Sequence, residues 1–562
     1  MLPQKSDITN LKKLEMPILE LTIFQYFKKT LFMIAIVLPF GSIAQSGPAG
    51  VGTTDGTSAL KMWLDAGIGI FTDTSQTQIA KAGDRIKSWK DMSGSKNHVY
   101  SRADSNSPTL TSSNTSLNNQ DAIRFFQNED PLNRRNYLVS KSFSKTNDIT
   151  IYCVFHALSK AGGNNITPYQ STKYNANMWY SGAGLVDAGI GGFGNDVSLA
   201  FCDTSIAAGV GDSTSATDFC IKTPASINKT YFAVLQKEAW NGKLSIAHNN
   251  NITTTYQAGA QPINNSERYY IGSTSDTSTG KLSPFFDGYI ASVLVYNKIL
   301  NTAEKIILEN YLSAKYGTAL LQNDLYKWDE PSAGNYDFEL VGIGKASDGT
   351  SQLTAKGEGL VEINTNEMGN GDFIMIGHNG SPLSSSSDGL PDGIQFKLDR
   401  KWACGKTGQA RKIDIIVNPK EIPLLDNQDA ALLIDTDNNG SFANETVEKG
   451  IIPVAQVSNS GRLVFRGVEL KHGNTFTFGK LKPACLSGCE NYFSPNGDGV
   501  ADSYFIDNTG KTAIYDRSGD LVKSMPTPAY WDGTNEKGEL AAPGIYFLIA
   551  NEDSQKTVTL IR

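Results

Sequence analysis

From residue 58 to residue 320 the chain repeats one pattern, a short run of β-branched and aromatic residues followed by a turn rich in Gly, Asn, Ser and Asp. Residues 149–157 (Ile-Thr-Ile-Tyr-Cys-Val-Phe-His-Ala) and 286–296 are apolar along most of their length. Runs this short, bounded by turn residues, fit strands buried on both faces better than helices. Residues 60–66, 122–126, 231–235, 244–247 and 269–272 read the same way. So many short strands in one stretch constrain it to a two-sheet sandwich or jelly roll. The pattern resumes at residues 340–344, 359–363, 372–379, 396–402, 413–417 and 431–434, which predicts a second β-sandwich.

One helix interrupts the strands. Asn301 is placed as its N-cap with Glu304 three residues on, Ile306, Ile307, Tyr311 and Leu312 share a face, and Gly317 stands where a stop is expected. It is expected to cover a sheet edge or end. A chain of 562 residues has room for three or four domains. The net charge of −7 and the absence of a basic run argue against a nucleic-acid binder. The five histidines are scattered and give no zinc cluster.

Lys28 and Lys29 precede the apolar run 31–40, and Gly41, Ser42 and Ala44 follow it. These are the parts of a secretory signal peptide, with cleavage expected after Ala44. The run is too short to span a bilayer, and no other stretch is long and apolar enough, so the mature chain is expected to have no transmembrane span. The organisation read from these features is leader and signal peptide 1–44, linker 45–57, first sandwich 58–320, second sandwich 326–480, linker 481–490 and a C-terminal domain 491–562.

The tail carries Phe493-Ser494-Pro495-Asn496-Gly497-Asp498-Gly499, then Tyr530-Trp531-Asp532-Gly533, then Pro543-Gly544-Ile545-Tyr546, and ends on residues 558–562. In this order the motifs resemble the gliding-motility-associated C-terminal domain, the sorting signal for type IX secretion in gram-negative gliding bacteria. The resemblance implies a small Ig-like β-domain, the type IX machinery as partner, and an outer-surface or secreted location. Asn496, Asp498 and Asp502, with Gly497 and Gly499 between them, could also wrap oxygens around Ca²⁺. The chain has Ala501 before Asp502 where members more often have Asn, which weakens that carry-over.

The first sandwich is similar to the concanavalin A-like, laminin-G-type fold through Leu60-Lys61-Met62-Trp63-Leu64-Asp65-Ala66, Trp89-Lys90-Asp91-Met92-Ser93-Gly94, residues 286–297 and the capped helix. The fold class expected is therefore all-β and multi-domain: a concanavalin A-like jelly roll, a β-sandwich and a small Ig-like domain. That fold serves lectins, adhesion proteins and glycoside hydrolases alike. Its hydrolases commonly carry Glu-x-Asp-x-x-Glu or Glu-x-Asp-x-Glu, which is absent here, so no catalytic residue is assigned. Tyr174, Trp179 and Tyr180 among asparagines, and Trp240 before Asn241-Gly242, are the candidates for stacking on sugar rings; packing on the sandwich, the commoner fate of bulky aromatics, is the alternative for each. The expected activity is binding of a polysaccharide or glycoprotein. A glycoside hydrolase or lyase, and a structural surface or biofilm protein, stand as alternatives.

Asp435, Asp437 and Asn439 stand at positions one, three and five of a calcium-type loop, with Gly440 at six. Thr446 occupies position twelve, where a Glu is expected, and Glu445 falls one short. Structural Ca²⁺ or a solvated hairpin turn both fit. The second sandwich resembles an uncharacterised β-domain found after laminin-G-like modules, and that resemblance implies no activity. Six cysteines are too few for a disulfide framework. Cys202 and Cys220 flank a Ser/Thr/Gly/Ala-rich stretch read as a loop, which a disulfide would staple by ~3 kcal/mol. Cys485 and Cys489 could bridge the linker, and Cys153 is expected to be a free core residue.

Overall fold

The computed structural model describes residues 46–561, except 103–106, 128–135, 162–168, 172–177, 190–194, 213–216, 250–252, 259–262, 264–267, 275–284, 410–411, 423–424, 426–428, 483–491, 498–501 and 551–553. The signal-peptide reading falls outside the described residues. The architecture is all-β and multi-sandwich, as the strand pattern predicts, with five sheets of eight, ten, nine, five and five strands among the described residues. Thr302–Tyr316 is the one α-helix among the described residues, and none of their helices is long and apolar enough to cross a membrane.

The eight- and ten-stranded sheets form the first sandwich. Strand Ile149–Ala157 explains its layering, being buried along its whole length. Ile149, Ile151, Cys153 and Phe155 enter the core between the two sheets. Tyr152 and Val154, on the opposite face, enter a second core. A strand with both faces covered needs no polar alternation, which is why this run reads as continuously apolar.

The helix supplies the other side of that second core. Its capping box is complete: the Glu304 N–H donates to Asn301 Oδ1 at 3.0 Å, and the Asn301 N–H to Glu304 Oε2 at 3.1 Å. Gly317 ends it in the left-handed region at φ +62°. Contrary to expectation, the helix lies on a sheet face, packed against Phe232, Val234 and Leu294, and not at an edge or end. Its far side meets Tyr326, Tyr336, Leu340, Phe373 and Met375 of the second sandwich. Gly342 permits this approach, because a Cβ there would lie 2.8 Å from Ile307 Cγ2.

The stretch expected as a linker before residue 58 is also packed. Pro48, Ala49, Gly50 and Val51 are buried in or beside the same core, and the Tyr296 hydroxyl donates to the Val51 carbonyl at 3.2 Å. The nine-stranded and one five-stranded sheet close around Ile343, Ile374, Trp402, Ile415, Phe465 and Phe478 to make the second sandwich. The tail is the other five-stranded sheet, with Phe493, Ile514, Trp531, Tyr546 and Val558 in its core.

Candidate functional site

The aromatic candidates separate by burial. Trp179, in the short turn Trp179–Ser181, is 2% exposed and packs with Met178, Ala200, Ala207 and the two cysteines on the outer face of the ten-stranded sheet. Gly209 makes room for it: a Cβ there would sit 1.9 Å from Trp179 Cδ2. Trp179 is therefore a core plug and not a stacking platform for sugar. Tyr180 is half-buried, edge-on to Trp179 at 5.0 Å. Trp240 is 82% exposed at the tip between strands Thr230–Lys237 and Lys243–His248, on the other sheet. Tyr174 lies outside the described residues.

Cys202 and Cys220 are free and buried, which corrects the expected staple. Much of the stretch between them is not a loop but strand Ser205–Asp212, which separates strand Val197–Cys202 from strand Thr217–Pro224. Strands two apart in a sheet stand about 9.6 Å from each other, beyond the Cα separation a disulfide tolerates. Cys153 is a free core thiol, as expected, and burial pushes it up past its ordinary range. Cys485 and Cys489 lie outside the described residues.

In the loop after strand Ala430–Asp435, carboxylate oxygens of Asp435, Asp437 and Glu445 gather within 4.8 Å of one another. Asp435 accepts from the Asn439 and Gly440 N–H groups at 3.1 and 2.8 Å, which curls the backbone around it. Glu445 Oε1 accepts from the Thr436 N–H at 2.8 Å. The residue that the spacing placed one position short thus reaches the cluster, while Asn439 Oδ1 turns to the Ser441 N–H at 2.7 Å. In the tail, Asp502 Oδ1 accepts from the Asn496 and Gly497 N–H groups at 3.0 and 2.7 Å and so closes the turn. Asp498 lies outside the described residues.

No motif announces the groove that the fold builds on the first sandwich. It has a volume of about 550 Å³ and runs between the turn at Asn228–Lys229 and the end of the helix at Thr318. Two of the scattered histidines meet there: His156 pairs with Thr230 across neighbouring strands, and His248 ends the next strand along. His248 Nε2 lies 2.7 Å from the Pro224 carbonyl, which can only accept, so the proton sits on Nε2 and Nδ1 is a bare acceptor. Burial lowers the pKa of both imidazoles and keeps them neutral near pH 7. His248 Nδ1 and Thr318 Oγ1 are buried without partners. Among the described residues, no carboxylate lines this groove.

Residues 487–560 match the type IX secretion signal domain family, and residues 304–474 match a domain of unknown function, DUF8202. The second match begins inside the helix. None of the curated proteins matches the chain in sequence. Among solved structures, the CBM40 of Ruminococcus gnavus IT-sialidase bound to alpha2,3 sialyllactose is 14% identical, with 28% of this chain and 80% of that one covered at a TM-score of 0.22. A heptameric SAP-like pentraxin from Limulus polyphemus is 13% identical, covering 35% and 84% at 0.26. The botulinum neurotoxin serotype D/C binding domain is 11% identical, covering 76% and 95% at 0.29. The tail match implies export of the chain to the cell surface or the medium.

Proposed function

We propose that this protein is a secreted or cell-surface carbohydrate-binding protein. The first sandwich bears the ligand site, the second braces it, and the tail addresses the chain to the type IX machinery. The concanavalin A-like reading of the first sandwich belongs to this proposal. The observation that carries it is the polar groove at His156, His248, Asn228 and Thr318, whose neutral donors and acceptors suit sugar hydroxyls. The lack of a carboxylate pair there favours binding over glycosidic hydrolysis. The loop at Asp435, Asp437 and Glu445 is assigned a structural Ca²⁺, because three carboxylates this close repel one another unless a cation or proton intervenes.

A glycan array probed with the mature chain, with and without chelator, tests the reading. Binding to a defined glycan class, lowered by Asn228→Ala with Lys229→Ala at the exposed rim, is expected. An array without a hit, or a hit indifferent to those changes, sinks it. Chelator is expected to lower the melting temperature without changing which glycans bind.

A further inference from the structure

A larger cleft, about 630 Å³, opens where the first sandwich meets the second. Trp63, Lys90, Lys96 and His98 line it from the first sandwich, Lys356 and Glu358 from the second. Its acceptors are already engaged. Asp91 Oδ1 takes the Trp63 and Ser93 N–H groups at 2.8 and 2.9 Å, and Oδ2 takes the Ser93 hydroxyl and the Asn97 N–H, both at 2.8 Å. Glu358 is held by Tyr311 and by the Lys315 ammonium, the latter at 3.4 Å. Glu421 lies 3.8 Å from Lys356 and accepts from Asn418 at 2.9 Å.

Lys356 apart, the charged and ring N–H donors are unspent. Trp63 is 3% exposed and its Nε1–H has no acceptor. His98 Nδ1 accepts from the Asp91 N–H at 2.9 Å, so the ring proton is on Nε2. Burial is the largest cause lowering the His98 pKa; Asp91 opposes it, and the ammoniums of Lys90, Lys141 and Lys96 add to it. Both lysines are exposed, and neither makes an ion pair among the described residues.

We propose that this cleft binds an acidic saccharide unit, with its oxyanion, carboxylate or sulfate ester, held by Lys90 and Lys96 and by the N–H groups of Trp63 and His98. With the carboxylates of Asp91, Glu358 and Glu421 already engaged inside the protein, the donors left over are two ammoniums and two N–H groups, which favour a ligand that brings negative charge and acceptor oxygens together. This rests on the carbohydrate-binding reading and adds to it a second site with its own ligand class.

Isothermal titration of the mature chain separates the two claims. The probes are oligogalacturonate, a sulfated chondroitin oligosaccharide and a neutral galacto-oligosaccharide of equal length. At low salt at least one acidic probe is expected to bind about tenfold more tightly than the neutral one, with the advantage shrinking as the Debye length falls. The stronger acidic arm identifies the oxyanion. Lys90→Gln with Lys96→Gln, two exposed changes that leave the core intact, is expected to abolish that preference and leave neutral binding within about twofold. Equal binding of acidic and neutral probes, or a preference that survives the double change, overturns the proposal and leaves the carbohydrate reading standing. Binding of none of the three overturns this proposal, and the glycan array then decides the carbohydrate reading.

Discussion

Replacing Asp218 by Asn removes a carboxylate that the fold buries without compensation. Asp218 lies on strand Thr217–Pro224, opposite Gly211, is 4% exposed, and its Oδ1 has no hydrogen-bond partner. Burial alone pushes its pKa from 3.8 up to about 7. The linkage has a definite sign. Below about pH 3 the group is protonated in folded and unfolded chains alike, and its neutral form carries no penalty. As the pH rises from there to 7, the unfolded chain releases the proton and the folded chain keeps it, so stability falls. Above 7 the folded chain holds the buried charge at a constant cost. Three units at about 1.4 kcal/mol each set an upper figure of about 4 kcal/mol. Asp218→Asn mimics the neutral acid, so the variant should exceed the wild type by about 2–4 kcal/mol at pH 8 and match it at about pH 3. Urea denaturation followed by tryptophan fluorescence at both pH values measures the difference. A variant no more stable than wild type at pH 8, or one shifted equally at about pH 3, would refute the reasoning and mean that a cation or donor stabilises the carboxylate.

Three further outcomes follow from single contacts. Lys315→Met withdraws the ammonium that faces Asp65 and Glu358, leaving two buried carboxylates unpaired; a loss of about 3–5 kcal/mol is expected in thermal unfolding, partly recovered by adding Glu358→Gln. Gly209→Ala drives a methyl into Trp179, costing about 1–3 kcal/mol, and should make the Cys202 and Cys220 thiols reactive toward a thiol reagent under native conditions; unchanged reactivity would mean that the plug had adjusted in place. Deleting residues 487–562 should retain the chain inside the cell in a surface-fraction immunoblot, and normal export of that form would contradict the sorting role.

What the sequence made legible is what depends on local pattern. Strand Ile149–Ala157 was readable because burial on both faces leaves it continuously apolar, and the helix because Asn301, Glu304 and Gly317 mark its ends. What escaped depends on register. Trp179 and Trp240 sit in similar polar stretches, and the room that Gly209 leaves on a strand distant in sequence is part of what lets the first be buried. The strand between Cys202 and Cys220 did leave a signal: Ile206, Ala208 and Val210 alternate inward, but small residues between them gave the segment the look of a loop. Glu445 was discounted on a count that assumes a helix after the loop. Here the chain turns through Thr446 and Lys449 back into strand Ile451–Pro453, which swings position eleven inward. The histidine groove and the lysine cleft draw residues from distant segments, so no spacing could have revealed them.

The junction between the sandwiches is a fixed seam, and the function proposed for it depends on that. Asn310, 2% exposed on the helix, donates to the Ile306 and Asn323 carbonyls, both at 2.8 Å, and accepts from the Leu325 and Tyr326 N–H groups at 2.9 and 3.0 Å. One side chain thus pins the connecting segment to the helix, where a free hinge would leave those groups to water. The Lys315 ammonium, between Asp65 of the first sandwich and Glu358 of the second, locks the same seam from the cleft side. A cleft whose two walls are held this way needs little ordering to receive a ligand, so its donors act at close to their full strength. In the site proposed above, the second sandwich then forms one wall of the cleft, while the donors that hold the ligand come from the first. A chain cut at residue 320 would expose the Ile307 face of the helix and remove the Lys356 wall of the cleft together.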